Sequence, residues 1–292
     1  MHDFDEFAAR ERLGWADENI VSAYVKKFGP VTDYAARELI NRGSPKGMSV
    51  LDLCCGQGAL TAMLSEAGSR VTGLDFSEEM LALAAETAPD AVLQQGDAAA
   101  LPFADGQFDQ VVCNFGMMHL PEQPKALDEI NRVLRTGGRF LMATWATPDV
   151  SPAFATVFGA IKAKADITDA PAQPDLFAFA RHDEANAMMK SSGLRMVSHE
   201  NVTTHWLLDE PGELFEIFLT ATVAASQLIK GQKPEVIEAI RAQATDAVST
   251  NFRDKNIYRA SFFPSVYKVL FHRFSSLMLC MIMPHCGFWG SC

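Results

Sequence analysis

Met48-Ser49-Val50-Leu51-Asp52-Leu53-Cys54-Cys55-Gly56-Gln57-Gly58 decides how the rest of the chain is read. Residues 48–53 are a short apolar run with branched side chains and an acid at its end, the composition of a buried strand in a parallel sheet. A turn with two glycines follows. Over 59–67, Leu60, Met63, Leu64 and Ala67 recur at i, i+3, i+4 and i+7, which gives a helix one apolar face, and Gly68 stops it. Strand, glycine turn and helix make the ligand corner of an open α/β sheet. The ligand lies beyond the carboxyl end of the first strand, where glycine lets the backbone come close and helix amides face it. Taken alone, the stretch also fits a plain tight turn in any parallel-sheet protein. Two rival fingerprints match less well. A phosphate loop needs Gly-Lys-Ser/Thr, but Ala59 follows Gly58. A dinucleotide fingerprint wants a third small residue where Thr61 stands.

The next segments repeat the pattern. Residues 70–75 form a second short strand ending in Asp75, about 20 residues on, where a ribose-binding carboxylate belongs. Ser77 caps a helix with Glu78 and Glu79 in its first turn. A third strand covers 91–95, ended by Gly96-Asp97, and a fourth covers 108–114. Pro121 stands where it can open a helix whose buried side carries Leu127, Ile130 and Leu134. Gly137-Gly138 ends that helix, and 139–144 is the fifth strand. Five strands with crossovers make a doubly wound sheet.

Seven pieces in this order resemble the class I S-adenosylmethionine-dependent methyltransferases. They are 51–58 above, Gly73-Leu74-Asp75-Phe76-Ser77, Gly96-Asp97-Ala98, Leu101-Pro102-Phe103, Phe108-Asp109, His119-Leu120-Pro121 and Arg132-Val133-Leu134-Arg135-Thr136-Gly137-Gly138. The resemblance spans roughly 45–145. It is closest to the small-molecule branch that includes the ubiquinone and menaquinone biosynthesis C-methyltransferases. It implies an α/β fold: a doubly wound, mostly parallel, seven-stranded Rossmann-like sheet with N-terminal helices and a helical lid.

The chain of 292 residues suffices for one large domain or a domain with a lid. A net charge of -11 with no basic run argues against a nucleic-acid substrate. The six cysteines, at 54, 55, 113, 280, 286 and 292, lack paired metal spacing, so no metal is expected. A disulfide framework is not expected either, which points to a reducing, cytoplasmic setting. The first residues are acidic and lack the apolar stretch of a signal peptide. Oligomeric state is not legible.

The chain divides at 1–45, 46–146, 147–259 and 260–292. The first part reads as two helices, 17–28 ended by Gly29-Pro30 and 32–42 capped by Thr32, with Tyr24 and Phe28 as packing residues that can also touch substrate. By resemblance these helices close over the cofactor. Beyond Trp145 come a helix near 152–165, a short helix at 183–192, a sixth strand at 195–206, and helices at 211–228 and 234–248 that read as a lid. By resemblance the last strand starts near Ile257-Tyr258-Arg259. From 260 onward the chain is apolar and atypical, but Lys268, His272, Arg273, Pro284 and His285 interrupt it, and a membrane helix needs about 20 uninterrupted apolar residues. An altered terminus is the expectation, and an interfacial helix the weaker option.

The expected cofactor is S-adenosylmethionine. The Gly56-Gln57-Gly58 turn lets backbone approach its amino-acid end and ribose. Cys54 stands where the family usually has its first glycine. Asp52 either fixes the turn or accepts from the cofactor's ammonium group, and Asp75 accepts two ribose hydroxyls. By resemblance, Asp97 accepts from the adenine amino group and Ala98 offers its amide. Phe76 lies along the adenine, and Asn114 and Phe115 face the methionine portion. Methyl transfer draws on alignment and desolvation, and an O- or C-acceptor can need a base. His119 is the candidate base, since imidazole titrates near neutrality; holding its loop is the equal alternative. The reading is an enzyme that methylates a small apolar or aromatic acceptor in quinone or secondary metabolism. A non-catalytic cofactor binder and a nucleotide-cofactor oxidoreductase on the same architecture are the rivals. The acceptor atom is not legible, because fold does not decide it.

Overall fold

Ser49–Leu53 forms an inner strand of the sheet, with its last four residues fully buried. The structure is a computed structural model and describes residues 4–168, 170–254, 257–262 and 264–271. The first half runs α1 (Asp5–Gly14), α2 (Glu18–Gly43), β1 (Ser49–Leu53), α3 (Ala59–Glu66), β2 (Arg70–Asp75), α4 (Glu78–Thr87), β3 (Val92–Gln95) and β4 (Phe108–Asn114). It continues with α5 (Gln123–Val133), β5 (Leu134–Trp145), α6 (Pro152–Lys164), α7 (His182–Ser191), β6 (Leu194–Asn201) and β7 (Thr204–Leu208). Then come α8 (Glu213–Thr220), α9 (Ala224–Lys230), α10 (Pro234–Asn251), β8 (Arg253–Asp254), β9 (Ile257–Phe262) and β10 (Pro264–Phe271).

The main sheet has the order β3-β2-β1-β4-β5-β10-β6. Its first five strands are parallel, and β10 lies antiparallel between β5 and β6. That is the doubly wound, mostly parallel sheet the resemblance implies. The chain reverses its direction of winding between β1 and β4, so the carboxyl ends of those strands part at a switch point, the usual ligand crevice of such sheets. A second, antiparallel sheet has the order β7-β9-β8.

Several boundaries differ from the sequence reading, each for a local reason. Gly29-Pro30 does not end a helix; α2 runs unbroken through Pro30. Proline has no N–H to offer the carbonyl of Lys26 one turn back, and side chains brace the three carbonyls that follow it. Thr32 Oγ1 donates to the Phe28 and Gly29 carbonyls at 3.2 and 3.1 Å, and the Trp206 indole donates to the Lys27 carbonyl at 2.8 Å. Pro124, not Pro121, occupies the first turn of α5. Gly137-Gly138 sits inside β5, where the pairing with β4 skips from Phe108 to Gln110 as a bulge. The single strand expected over 195–206 is two, β6 in the main sheet and β7 in the small one. The single helix expected over 211–228 is α8 and α9. Thr222 Oγ1 donates to the Phe218 carbonyl at 2.8 Å and Ser226 Oγ to the Leu219 carbonyl at 2.6 Å, which ends the first helix. Helix α1 has no apolar periodicity to betray it, because its buried face includes Glu11.

The largest difference is at the carboxyl side. Residues 257–262 belong to the small sheet, and the strand that completes the main sheet is β10, inside the segment read as a tail. It registers with β5 over Pro264↔Trp145 to Leu270↔Arg139 and with β6 on its other edge. Pro264 stands at the strand's first position, where its missing donor is tolerated. The remaining apolar stretch at 275–283, with Cys280, Cys286 and Cys292, lies outside the described residues. No helix among the described residues is long and apolar enough to cross a membrane.

Gly58 fixes how α3 and α4 meet. It holds φ +82°, and a Cβ there would stand 2.9 Å from the Ala84 Cα. Gly58→Ala is expected to cost about 2–4 kcal/mol of folding stability from left-handed strain plus overpacking, read as a lower urea midpoint. An unchanged midpoint would refute the close approach.

Candidate active site

Asp52, next to last in β1, is buried, and its Oδ2 accepts from Thr61 Oγ1 on α3 at 2.6 Å. Thr61 is the residue that spoils a dinucleotide fingerprint, and here it serves the strand's carboxylate. The other oxygen, Oδ1, has no partner. Burial pushes the Asp52 carboxyl up to about 7, with the neighbouring Asp75 charge adding to it and the Thr61 hydrogen bond opposing it. Asn114, at the end of β4, donates through Nδ2 to the Thr32 carbonyl at 3.2 Å and likewise leaves a buried Oδ1 unpaired.

The strand ends turn sharply. Cys54 and Phe115, following β1 and β4, hold φ +57° and +59°, unusual for side-chain-bearing residues. Between them a Cβ on Gly116 would come within 2.5 Å of the Cys54 Cβ. Asp75 closes the corner from β2: its Oδ2 accepts from the Gly56 amide at 2.9 Å and its Oδ1 from the Ser77 amide at 3.0 Å. Burial raises the Asp75 carboxyl above its ordinary value, and these amides pull the other way.

Asp52, Cys54, Gly56, Asp75, Phe76, Asn114, Phe115 and His119 all line one cleft of about 80 Å³. The structure brings together these eight of the sequence-derived residues. Gly58, Asp97 and Ala98 do not reach it. Gly58 is taken up by α4. Asp97 is exposed, and its Oδ1 accepts from the Ala99 amide at 2.8 Å, closing a local turn. Ala98 is buried in the core with Leu74 and Leu101. Asp97 and Ala98 thus stand in a tight turn beside β3, outside the lining of this cleft.

His119 sits in a short turn after β4, and its Nδ1 lies 2.9 Å from Glu11 Oε2. A carboxylate only accepts, so Nδ1 carries the proton of this contact. Trp15 Nε1 donates to the same Glu11 oxygen at 2.8 Å and stands edge-on to the imidazole at 5.5 Å. Glu11 is only 4% exposed. Neither Glu11 nor Trp15 stands out in the sequence; the available signal is an acid and an indole four residues apart near the start of the chain.

A second cavity of about 790 Å³ lies beyond, walled by Phe28, Trp145, Phe154, Phe158 and Phe218 and covered by the α8–α10 segment. Tyr24 stacks on Phe28 at 5.3 Å and lines both cavities, as Trp15 and His119 do. Burial holds the Tyr24 phenol well above its ordinary range, so it stays a donor. No cluster of three or more metal-ligating side chains exists among the described residues.

The family pattern described as methyltransferase domain matches residues 51–142. The demethylmenaquinone methyltransferase of Staphylococcus carnosus (strain TM300) is 35% identical over 67% of this chain and 90% of its own length. That of Staphylococcus aureus (strain MRSA252) is 36% identical over 53% of this chain and 68% of its own. A Bacillus halodurans C-125 protein classed as a methyltransferase shares the fold with a TM-score of 0.56 at 18% identity, over 82% of this chain and 99% of that one. The Burkholderia thailandensis 1,6-didemethyltoxoflavin-N1-methyltransferase, solved with that acceptor and S-adenosylhomocysteine, superposes with a TM-score of 0.51 at 17% identity, over 92% and 90% of the two chains. The chain belongs to the class I S-adenosylmethionine-dependent methyltransferases, similar to those of menaquinone biosynthesis, and it is a methyltransferase.

Asp52 makes stability depend on pH. Its unfolded carboxyl titrates near 3.9 and its folded one at about 7, so between these values the folded state holds the extra proton. Stability from this group is full below about pH 4 and is lost as pH rises through about 7. Asp52→Asn should remove that part of the slope. Urea midpoints at pH 5 and pH 7.5 check it; parallel pH profiles in the two proteins would contradict it.

Proposed function

We propose that the enzyme binds S-adenosylmethionine in the smaller cleft and methylates a small aromatic, quinone-type acceptor in the larger one, working in the cytoplasm. One observation carries the reading: the two cavities share a wall made by Trp15, Tyr24 and His119. A reacting group in one cavity can meet its partner in the other only across that wall. The curated relatives act on demethylmenaquinone by name, and the aromatic lining of the larger cavity suits a flat apolar ring system.

The donor set fits the cofactor. The unpaired Oδ1 atoms of Asp52 and Asn114 are acceptors for its ammonium group. Asp75 uses one lone pair on each oxygen for backbone amides, leaving a second on each for ribose hydroxyls. Phe76 and the Gly56 backbone flank the sugar. At about 80 Å³ the cleft is smaller than nucleoside ligands occupy, so the cover carried by Trp15 and Tyr24 moves outward on binding. S-adenosylmethionine, when bound, supplies a methyl group already activated by a positive sulfur. The chain's own residues align the acceptor, exclude water and handle its proton. His119 Nε2 accepts a proton from the acceptor's hydroxyl or ring carbon. Glu11 holds Nδ1–H and stabilises the imidazolium that results.

Thermal shift of the purified chain tests the cofactor. S-adenosylmethionine and S-adenosylhomocysteine should each raise the melting temperature, by the equivalent of about 2.7 kcal/mol at 100 times the dissociation constant, and NADH should not. Asp75→Ala should abolish the shift with the fold kept. A shift with NADH alone would overturn the reading.

With a naphthoquinol acceptor and labelled cofactor, His119→Ala should lower kcat by about 10²–10⁴-fold and leave the S-adenosylhomocysteine shift in place. Glu11→Gln should lower kcat in the same sense. Equal losses of turnover and cofactor affinity in His119→Ala would make the histidine a loop support.

A further inference from the structure

Where the larger cavity meets the cofactor cleft, most polar groups are already engaged. Trp15, Tyr24 and His119 are the side chains the two cavities share. The Trp15 indole donates to Glu11, and the same Glu11 oxygen is held by His119. Arg10 lines the larger cavity too, but its unpaired Nε and Nη2 carry no open surface. Thr222 uses its Oγ1 on the Phe218 carbonyl. Lys164, Asp166 and Lys233 are lining residues exposed to solvent.

Tyr24 differs from all of these. Its Oη has no hydrogen-bond partner among the described residues and keeps open surface. The ring itself is fixed on two sides. It stacks on Phe28 with centroids 5.3 Å apart and meets Trp15 edge to face at 5.1 Å. Trp15 meets the His119 ring in the same way at 5.5 Å. Burial, with the charges of Asp33 and Asp75 adding to it, keeps the phenol protonated, so the group offers a donor. A tyrosine hydroxyl in apolar surroundings ordinarily finds a partner within the protein. One held open beside an imidazole, in a cavity walled by Phe28, Trp145 and Phe154, marks where a polar atom of the ligand sits.

We infer that Tyr24 is a catalytic residue whose Oη–H donates a hydrogen bond to a ring oxygen of the quinone-type acceptor, at the junction of the two cavities. This rests on the larger cavity being the acceptor site. An oxygen beside the atom that takes the methyl gains negative charge as the acceptor's proton passes to His119. A donor already aimed at that oxygen binds it more strongly as the charge grows, so Tyr24 acts more on the reaction than on acceptor binding. The stack on Phe28 holds the ring in place, which leaves only the hydroxyl torsion to adjust.

A double-mutant cycle tests the contact without turnover. The probes are 2-acetylnaphthalene and 2-isopropenylnaphthalene, alike in shape, of which only the first carries an oxygen that accepts. Equilibrium dialysis gives the affinity of the full chain for each, in the wild type and in Tyr24→Phe, which keeps the ring and its stack on Phe28. The ratio of ketone to alkene affinity should fall about three- to tenfold in the variant. With a naphthoquinol acceptor, Tyr24→Phe should lose about 10²-fold in kcat, with a smaller rise in acceptor KM and the S-adenosylhomocysteine shift kept. An unchanged affinity ratio, an unchanged kcat, or binding of neither probe would overturn the inference. Loss of the S-adenosylhomocysteine shift in Tyr24→Phe would also overturn it, by placing the hydroxyl in the cofactor's cleft. The shift in the wild type is read separately. Its presence beside an unchanged ratio would strike the Tyr24 contact and leave the cofactor reading standing. Its absence beside a tyrosine-dependent ratio would do the reverse.

Discussion

The site depends on a carboxylate that is already half used. Asp75 accepts the Gly56 amide with one oxygen and the Ser77 amide with the other, tying the glycine turn after β1 to the start of α4. Without that clamp the turn would be a loop whose backbone could wander, and buried peptide donors would lack partners. With it, the corners after β1 and β2 are held side by side, and the same residue lines the cleft. One side chain thus sets both the turn and what the turn can bind. The strained residues around it, Cys54 and Phe115 with positive φ, persist because packing at Gly116 leaves the backbone no other path.

The cover is built from the opposite direction. Around the proline in α2 the helix carbonyls take side-chain partners, and Trp206 from β7 is one of them. Asn114 at the end of β4 uses another acceptor on the same helix, the Thr32 carbonyl. The N-terminal helices are therefore hydrogen-bonded to the sheet end that carries the site. Through α1 they also bring Glu11 to His119, a contact between residues 108 positions apart in sequence. Rigid packing below and polar tethers above suit a crevice that must open for ligands and close for chemistry.

The legible part of this protein is the part whose signals are local. The strand–turn–helix at 48–67 is readable because period, glycine and acid spacing all lie within a few residues of one another. Asp52, Asp75 and Asn114 fall out of it as strand ends. Gly58 reads as cofactor backbone, yet α4 claims it; sequence cannot tell which of two neighbours a glycine makes room for. Asp97 and Ala98 rest on likeness to relatives, since a local turn such as 97–100 carries no signal of its own for a ligand. Glu11 is invisible for a different reason. Its partner is contributed by a distant loop, and a buried acid on a charged-looking helix breaks the very periodicity by which helices are recognised. β10 escapes because an apolar segment beyond an expected end reads as excess, whereas an antiparallel strand between two others draws its stability from register on both edges, which no single segment displays.

The two cavities also differ in the charged groups that line them. Around the smaller cleft stand Asp52 and Asp75, both with carboxyls pushed up by burial and, for Asp52, by the charge of its neighbour. Asp33 shifts in the same direction from burial, and the Tyr24 phenol is raised by burial with Asp33 and Asp75 adding to it. Burial is the first cause of each shift, and a positive charge arriving beside these groups would favour their ionised forms. The larger cavity carries both signs: Arg10, Lys164 and Lys233 line it together with Glu11 and Asp166. Trp15, Tyr24 and His119 line both cavities, so the buried acids of the smaller one and the aromatic lining of the larger one meet at the same three side chains.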